Sequence, residues 1–148
     1  MEYNFKKIHT GKDLVISGLL IAAGIGLFFL NAGLGITIGI CGILSLLLYK
    51  SGYKMDGQNL CLEKKSEDLC KSCRASVMDF LSGKDVTPDI RKGNEGGSVR
   101  LDVYFNRAAR VAYAQLFDFC SYTYEPATEV VELRSIRADK LISLIKQL

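Results

Sequence analysis

The stretch LVISGLLIAAGIGLFFLNAGLGITIGICGILSLLLY, from Leu14 to Tyr49, decides how this chain folds. Its 36 residues include no Asp, Glu, Lys, Arg or His, and Ser17, Asn31, Thr37 and Ser45 are its clearly polar members. A run this long and this apolar predicts a membrane segment, because spanning the hydrocarbon core takes about 20 helical residues. At about 1.5 Å rise per residue, one helix through the whole run would be roughly 54 Å long, against a core of about 30 Å. Tilt absorbs only part of that mismatch, so the run must break. Asn31-Ala32-Gly33 offers the break, since Asn and Gly both tolerate the left-handed conformation that ends a helix and opens a turn. The expectation is a helical hairpin of spans 14–30 and 34–49, drawing in Lys12, Asp13, Lys50 and Ser51 at its ends.

Small residues repeat within both spans. Gly18, Ala22 and Gly26 stand four apart in the first, and Gly35 and Gly39 in the second, with Gly42 nearby. Small residues at this spacing let helix backbones approach closely. These five are therefore expected to pack the two helices on each other, with a partner or a homo-oligomer as the alternative. No ionisable residue lies inside either span. Intramembrane charges mark ion paths and proton relays, so their absence speaks against a transporter, channel or pump.

Charge outside the run sets an orientation. Lys6, Lys7 and Lys12 precede it, Lys50 and Lys54 follow it, and the Asn31 turn carries none. The positive-inside rule then predicts a multi-pass protein of the cytoplasmic (inner) membrane with both termini in the cytoplasm. The lysine-rich start resembles a secretory signal, but a signal has an apolar core of about 7–15 residues followed by a small-x-small cleavage site. An apolar run of 36 residues speaks against cleavage. The expected organisation is an N-terminal tail over 1–13, the hairpin over 14–50 and a cytoplasmic domain over 51–148.

From Lys50 to Leu148 the chain holds 16 Lys/Arg and 14 Asp/Glu. So balanced a surface is no footprint for nucleic acid, which needs a basic stripe. Roughly 100 residues suffice for one small core. The chain has five cysteines, Cys41, Cys61, Cys70, Cys73 and Cys120. An odd count without regular spacing argues against a disulfide framework.

Within the domain, residues 53–55, Asp56-Gly57 and 58–64 read as strand, turn, strand, Asp-Gly being a strong hairpin signal. Residues 66–81 change period. Ser66 is a candidate N-cap, and Leu69, Cys73, Val77, Phe80 and Leu81 form one helical face ended by Gly83. Residues 83–97 are polar, Gly-rich and charged, and are expected to be a flexible linker. In residues 98–106, Val99, Leu101, Val103 and Phe105 alternate with polar residues, predicting a strand with one wet face. In a second strand over 110–120, Val111, Tyr113, Phe117 and Phe119 share a face. Pro126 breaks the β-prone stretch 122–133 into an edge strand or two pieces. Residues 135–148 form a closing helix, with Leu141, Ile142, Leu144, Ile145 and Leu148 as its stripe. The expected fold class is α+β, a two-helix transmembrane hairpin followed by a small antiparallel-sheet domain ordered ββαβββα.

Little of this carries chemistry. Cys70-Lys71-Ser72-Cys73 is the one motif-like item, since two thiolates can ligate zinc or form a redox pair. Zinc would need Cys61 and Cys120 as well, at a spacing unlike a zinc ribbon, and no strand precedes the pair as in a redox fold. The bland alternative is Cys73 in the core with Cys70 incidental. Tyr104, Tyr113, Tyr122 and Tyr124 make a candidate interaction face, or simply cross-strand pairing. Glu125, Glu129 and Glu132 lack the spacing of a calcium loop and read as a solvated edge. The single His9 lies before the membrane run, away from any nucleophile in the domain, and no phosphate loop or other cofactor motif is present. The resulting expectation is a membrane-anchored interaction module. Its partners are the bilayer and either an unidentified protein or a second copy. The alternatives are a membrane enzyme or thiol/zinc site using Cys70 and Cys73, and a structural subunit assembling through its hairpin.

Overall fold

A computed structural model describes residues 3–93 and 99–148. The chain divides into two compact units, residues 2–61 and residues 62–148.

The first unit contains strand β1 (Phe5–Ile8), helices α1 (Gly11–Phe28) and α2 (Ala32–Leu48), and strand β2 (Gly52–Met55). A capping box starts α1: Thr10 Oγ1 accepts from the Asp13 amide at 3.3 Å, and the Asp13 carboxylate accepts from the Thr10 amide at 2.9 Å. Such a cap contributes about 1 kcal/mol. The chain reverses over Phe29, Leu30 and Asn31, close to the expected break but by a different mechanism. Asn31 has an extended φ of −150°, and its Oδ1 accepts from the Leu34 amide at 3.2 Å. It works as the N-cap of α2, not as a left-handed residue, and Gly33 lies inside the helix.

β1 falls in what the sequence presents as a tail. It pairs antiparallel with β2, Phe5 opposite Met55 and Ile8 opposite Gly52. Four residues with two lysines among them give no strand signal of their own. The partner that makes them a strand is more than forty residues away, across the hairpin. Asp13 closes the same end, accepting from the Ser51 amide at 2.9 Å and the Ser51 hydroxyl at 2.7 Å. After β2, Gly57 takes a positive φ of 84° while Asp56 does not, and the next strand begins at Cys61, later than expected.

The second unit is α+β. Strands β3 (Cys61–Leu69), β4 (Val99–Asn106) and β5 (Val111–Cys120) form consecutive antiparallel ladders. Two short strands then share β5: β6 (Thr123–Pro126) pairs with its second half and β7 (Val131–Arg134) with its first. The stretch around Pro126 is thus two pieces. Helices α3 (Arg74–Leu81) and α4 (Ser135–Gln147) cover one face. Their Val77, Phe80, Ala138, Leu141, Ile142 and Ile145, with Cys73 just before α3, join Val99, Leu101, Val103 and Phe105 of β4 in one buried cluster. The closing helix is therefore part of the core, and its end is held by Lys65 Nζ donating to the Ile145 carbonyl at 2.6 Å.

One expectation needs correction. The helix read over 66–81 begins only at Arg74, after a 3-10 turn at Lys71–Cys73, because Ser66 to Leu69 pair with Asp102 to Val99. A capping signal contributes about 1 kcal/mol, and a ladder that also buries Leu69 outweighs it. On β5, Val111, Tyr113, Phe117 and Phe119 share a face as expected, and the opposite side, with Ala112, Ala114 and Leu116, is the one that faces the helices. Small residues there let α4 approach the sheet, while the larger Tyr113 and Phe117 stand on the other face.

Residues 83–93 are laid along the domain. Gly83 ends α3 at a φ of 102°, the Asp89 amide donates to Ser76 Oγ at 2.8 Å, and Val86 and Ile90 pack on the core. The Cys70 amide donates to the Arg91 carbonyl at 3.1 Å and the Gly93 amide to the Asp68 carbonyl at 2.8 Å. The rest of the expected linker, 94–97, lies outside the described residues.

Candidate functional site

The hairpin is inverted relative to a water-soluble helix pair. Its buried positions are Asp13, Ser17 and Gly24 in α1 and Gly35 and Gly42 in α2. Its exposed ones include Leu14, Val15, Leu19, Ile25, Ile40 and Leu47. Ser17 Oγ donates to Ser45 Oγ at 3.1 Å between the helices. A Cβ built on Gly24 would stand 2.6 Å from the Gly39 nitrogen, one on Gly42 would stand 2.8 Å from the Ile21 nitrogen, and one on Gly35 would run into the Phe28 backbone. The helices thus meet through Gly24, Gly35, Gly39 and Gly42. Gly35 and Gly39 were legible in the sequence. Gly18, Ala22 and Gly26 are not in this seam: all three are exposed, and a Cβ at either glycine meets nothing within 4 Å. Small residues occur on two faces of α1, and spacing alone does not say which face turns inward. A shallow groove of about 360 Å³ runs along the seam, lined by residues such as Ile21, Ile25, Phe28 and Ile36.

On the sheet domain, the four tyrosines do not form one exposed surface. Tyr104 and Tyr113 are cross-strand partners on the face away from the helices, Tyr104 half-buried and Tyr113 fully buried. Tyr124 lies farther along that face and donates to Asp68 at 3.0 Å. Tyr122 projects alone from the β5–β6 turn, 95% exposed. The face between them is charged as well as aromatic. Arg100 places its guanidinium 4.9 Å from the Phe117 ring and 4.5 Å from the Tyr124 ring, and Lys64 stands 5.1 Å over Tyr104. Buried Asp102 pairs with Lys64 at 2.8 Å and Arg100 at 3.0 Å, so the face expected to be wet holds a compensated ion triad. Burial pulls the Lys64 ammonium down, and its bonds to Asp102 and Tyr104 more than offset this, so its pKa rises. Burial, with the bond to Asp68, pushes the Tyr124 phenol up. These shifts favour Lys64 charged and Tyr124 neutral, the states both already hold near neutral pH, so neither becomes an acid or base poised for catalysis.

Cys70 and Cys73 share the turn that follows β3, the Cys73 amide donating to the Cys70 carbonyl at 2.9 Å, so a strand does precede the pair, contrary to the expectation. Cys73 is fully buried in the core, and Cys70 Sγ donates to the Lys92 carbonyl at 3.2 Å. No disulfide links any pair, and among the described residues no three metal-ligating side chains gather. Glu125 and Glu132 pair with opposite ends of β5, and Glu132 pairs with Arg134 at 2.6 Å, so the acidic run is not one cluster. An ion pair not foreseen from the sequence joins α3 to β5: Arg74 donates to Asp118 through Nε at 2.8 Å and Nη2 at 2.7 Å. Those bonds hold the Asp118 carboxyl below its usual range, against the opposing effect of burial. Beside it, Lys71, Val99, Phe119 and Cys120 complete the lining of a cavity of about 210 Å³.

No family model matches the chain, and no curated protein or solved structure does.

Proposed function

We propose that this is a small integral membrane protein in which α1 and α2 anchor an α+β interaction domain to the bilayer. The observation that carries the reading is the inverted hairpin. A helix pair built for water buries its large apolar side chains and exposes polar ones. Here serine, aspartate and glycine are inside and leucine, isoleucine and phenylalanine outside, an arrangement favourable in a hydrocarbon solvent. The 18 residues of α1 give a length of about 27 Å, near the hydrocarbon thickness of about 30 Å. α2, with 17 residues, is one shorter and contains no charged residue.

The β1–β2 ladder supports a defined topology. Paired strands on either side of the hairpin bring its two flanks to one end, with Lys6, Lys7, Lys12, Lys50 and Lys54 in or beside them. By the positive-inside rule that end is cytoplasmic, both termini face the cytoplasm, and Asn31 turns at the far side. A segment before α1 that is paired into the fold also favours a retained hairpin over a cleaved signal. The sheet domain serves as the docking element for a protein partner or a second copy. Its ionic groups are paired with one another, which favours a binding role.

Carbonate extraction and paired reporter fusions test this. The chain is expected to stay in the membrane pellet, and reporters before Met1 and after Leu148 are both expected to read cytoplasm. Release by carbonate refutes integral insertion. A periplasmic Leu148 reporter with a cytoplasmic N-terminus refutes the hairpin.

A further inference from the structure

We propose that the tip of the β5–β6 hairpin is a second membrane contact, in which Phe119 and Tyr122 enter the headgroup layer of the bilayer that holds the chain. The inference rests on the anchoring proposed above.

Ser121 and Tyr122 form the two-residue turn between the paired Cys120 and Thr123, with φ values of 48° and 66°. Two successive positive φ values are normally supplied by Asn, Asp and Gly, because a Cβ is crowded there. Here the second position carries an aromatic ring that is 95% exposed, the most exposed large apolar side chain among the described residues. Phe119, 41% exposed, stands beside the turn, its ring 5.1 Å from that of Tyr124. Water rewards neither the backbone conformation nor the exposed rings. Strain of this kind persists where a function uses it, and an aromatic ring with a polar tip is suited to the boundary between headgroups and acyl chains.

The charges around the tip decide which lipid surface fits. Lys71 and Arg74 are beside Phe119, but Arg74 is spent on Asp118, Tyr124 bonds Asp68, and Glu125 is exposed on β6. Positive and negative groups alternate, so the contact is aromatic and needs no anionic lipid. A domain joined directly to a membrane hairpin meets the bilayer at an effective concentration on the order of millimolar, and a weak two-ring contact then suffices.

The chain has no tryptophan, so a single introduced one reports its own surroundings. Full-length Tyr122→Trp, Leu19→Trp and Ile136→Trp proteins in phosphatidylcholine nanodiscs are read against iodide in water and against lipids brominated at a shallow acyl position. Leu19 lies on the outside of α1 and Ile136 is 76% exposed on α4, so none of the three changes disturbs a core. The Tyr122→Trp emission is expected to be blue-shifted, shielded from iodide and quenched by brominated lipid, equally with and without phosphatidylglycerol. Ile136→Trp is expected to answer to iodide alone. If Tyr122→Trp answers only to iodide while Leu19→Trp is quenched by lipid, the anchoring stands and the tip contact is overturned. If Leu19→Trp is not quenched, the anchoring fails and the inference with it. Equal lipid quenching of Ile136→Trp and Tyr122→Trp removes the tip's selectivity and overturns the proposal as well.

Discussion

Replacing glycine by alanine at two positions of one helix should act with opposite sign in this hairpin. At Gly24, the added Cβ would lie 2.6 Å from the Gly39 nitrogen, 2.7 Å from the Gly39 Cα and 2.9 Å from the Gly35 carbonyl oxygen. All three are backbone atoms, so no side chain can rotate away and the helices themselves must part. Comfortable heavy-atom contact is about 3.5–4.0 Å, so the seam must open by roughly an ångström. Overpacking of this sort costs about 1–3 kcal/mol. At Gly18 the same Cβ meets nothing within 4 Å. There the change gains helix propensity of up to about 1 kcal/mol. Since Gly24→Ala gains the same propensity, that effect cancels on comparison, and the two variants should differ by about the overpacking cost. Unfolding full-length protein in mixed micelles of rising dodecyl sulfate fraction, followed by circular dichroism, measures the difference. Gly26→Ala should behave like Gly18→Ala, and Gly35→Ala like Gly24→Ala. Equal midpoints for Gly24→Ala and Gly18→Ala would refute a seam through Gly24, Gly35, Gly39 and Gly42.

Three further outcomes are expected. Leu141→Ala, in the buried cluster, should destabilise the sheet domain by about 2–5 kcal/mol. Ile136→Ala, at a position 76% exposed, should cost less than about 0.5 kcal/mol, and limited proteolysis should cleave only the first more readily. Asp118→Asn should lower thermal stability at neutral pH by no more than about 1 kcal/mol, because the ion pair is part-exposed. The sign follows from Arg74 holding the carboxyl's folded pKa below its unfolded one. That contribution is complete above the unfolded pKa of about 3.9 and is lost as pH falls through the folded value. The wild-type advantage should therefore shrink in acid, and a pH-independent difference would exclude the Arg74 pair as its origin. Finally, maleimide should label Cys120 in the native protein and Cys73 only after denaturation, since Cys120 is exposed and Cys73 fully buried. Native labelling at Cys73, mapped by peptide mass, would contradict its place in the core.

Local and periodic features were readable without coordinates. Thirty-six uncharged residues predict a broken run, and the break falls at Asn31, although as an N-cap. The alternation along Val99 to Phe105 and the stripe from Leu141 to Ile145 each mark one buried face, because burial repeats with the period of the element. Two of the four seam glycines, Gly35 and Gly39, were likewise legible.

What only the tertiary structure decided are the choices between surfaces that look alike locally. α1 carries small residues on two faces, and Gly24 with Ser17 turns inward because Gly39 and Ser45 meet it there. β5 carries aromatics on one side and alanines on the other, and the alanine side is the core because two helices need room above it. Ser66 to Leu69 carry a helix start signal worth about 1 kcal/mol, and they are strand because they are the last four of seven residues, Glu63 to Leu69, that pair with β4. β1 exists only through β2, and Asp102 is buried only because Lys64 and Arg100 neutralise it. In each case the deciding energy is a contact between residues far apart in the chain, and a local pattern carries no record of which distant partner will arrive.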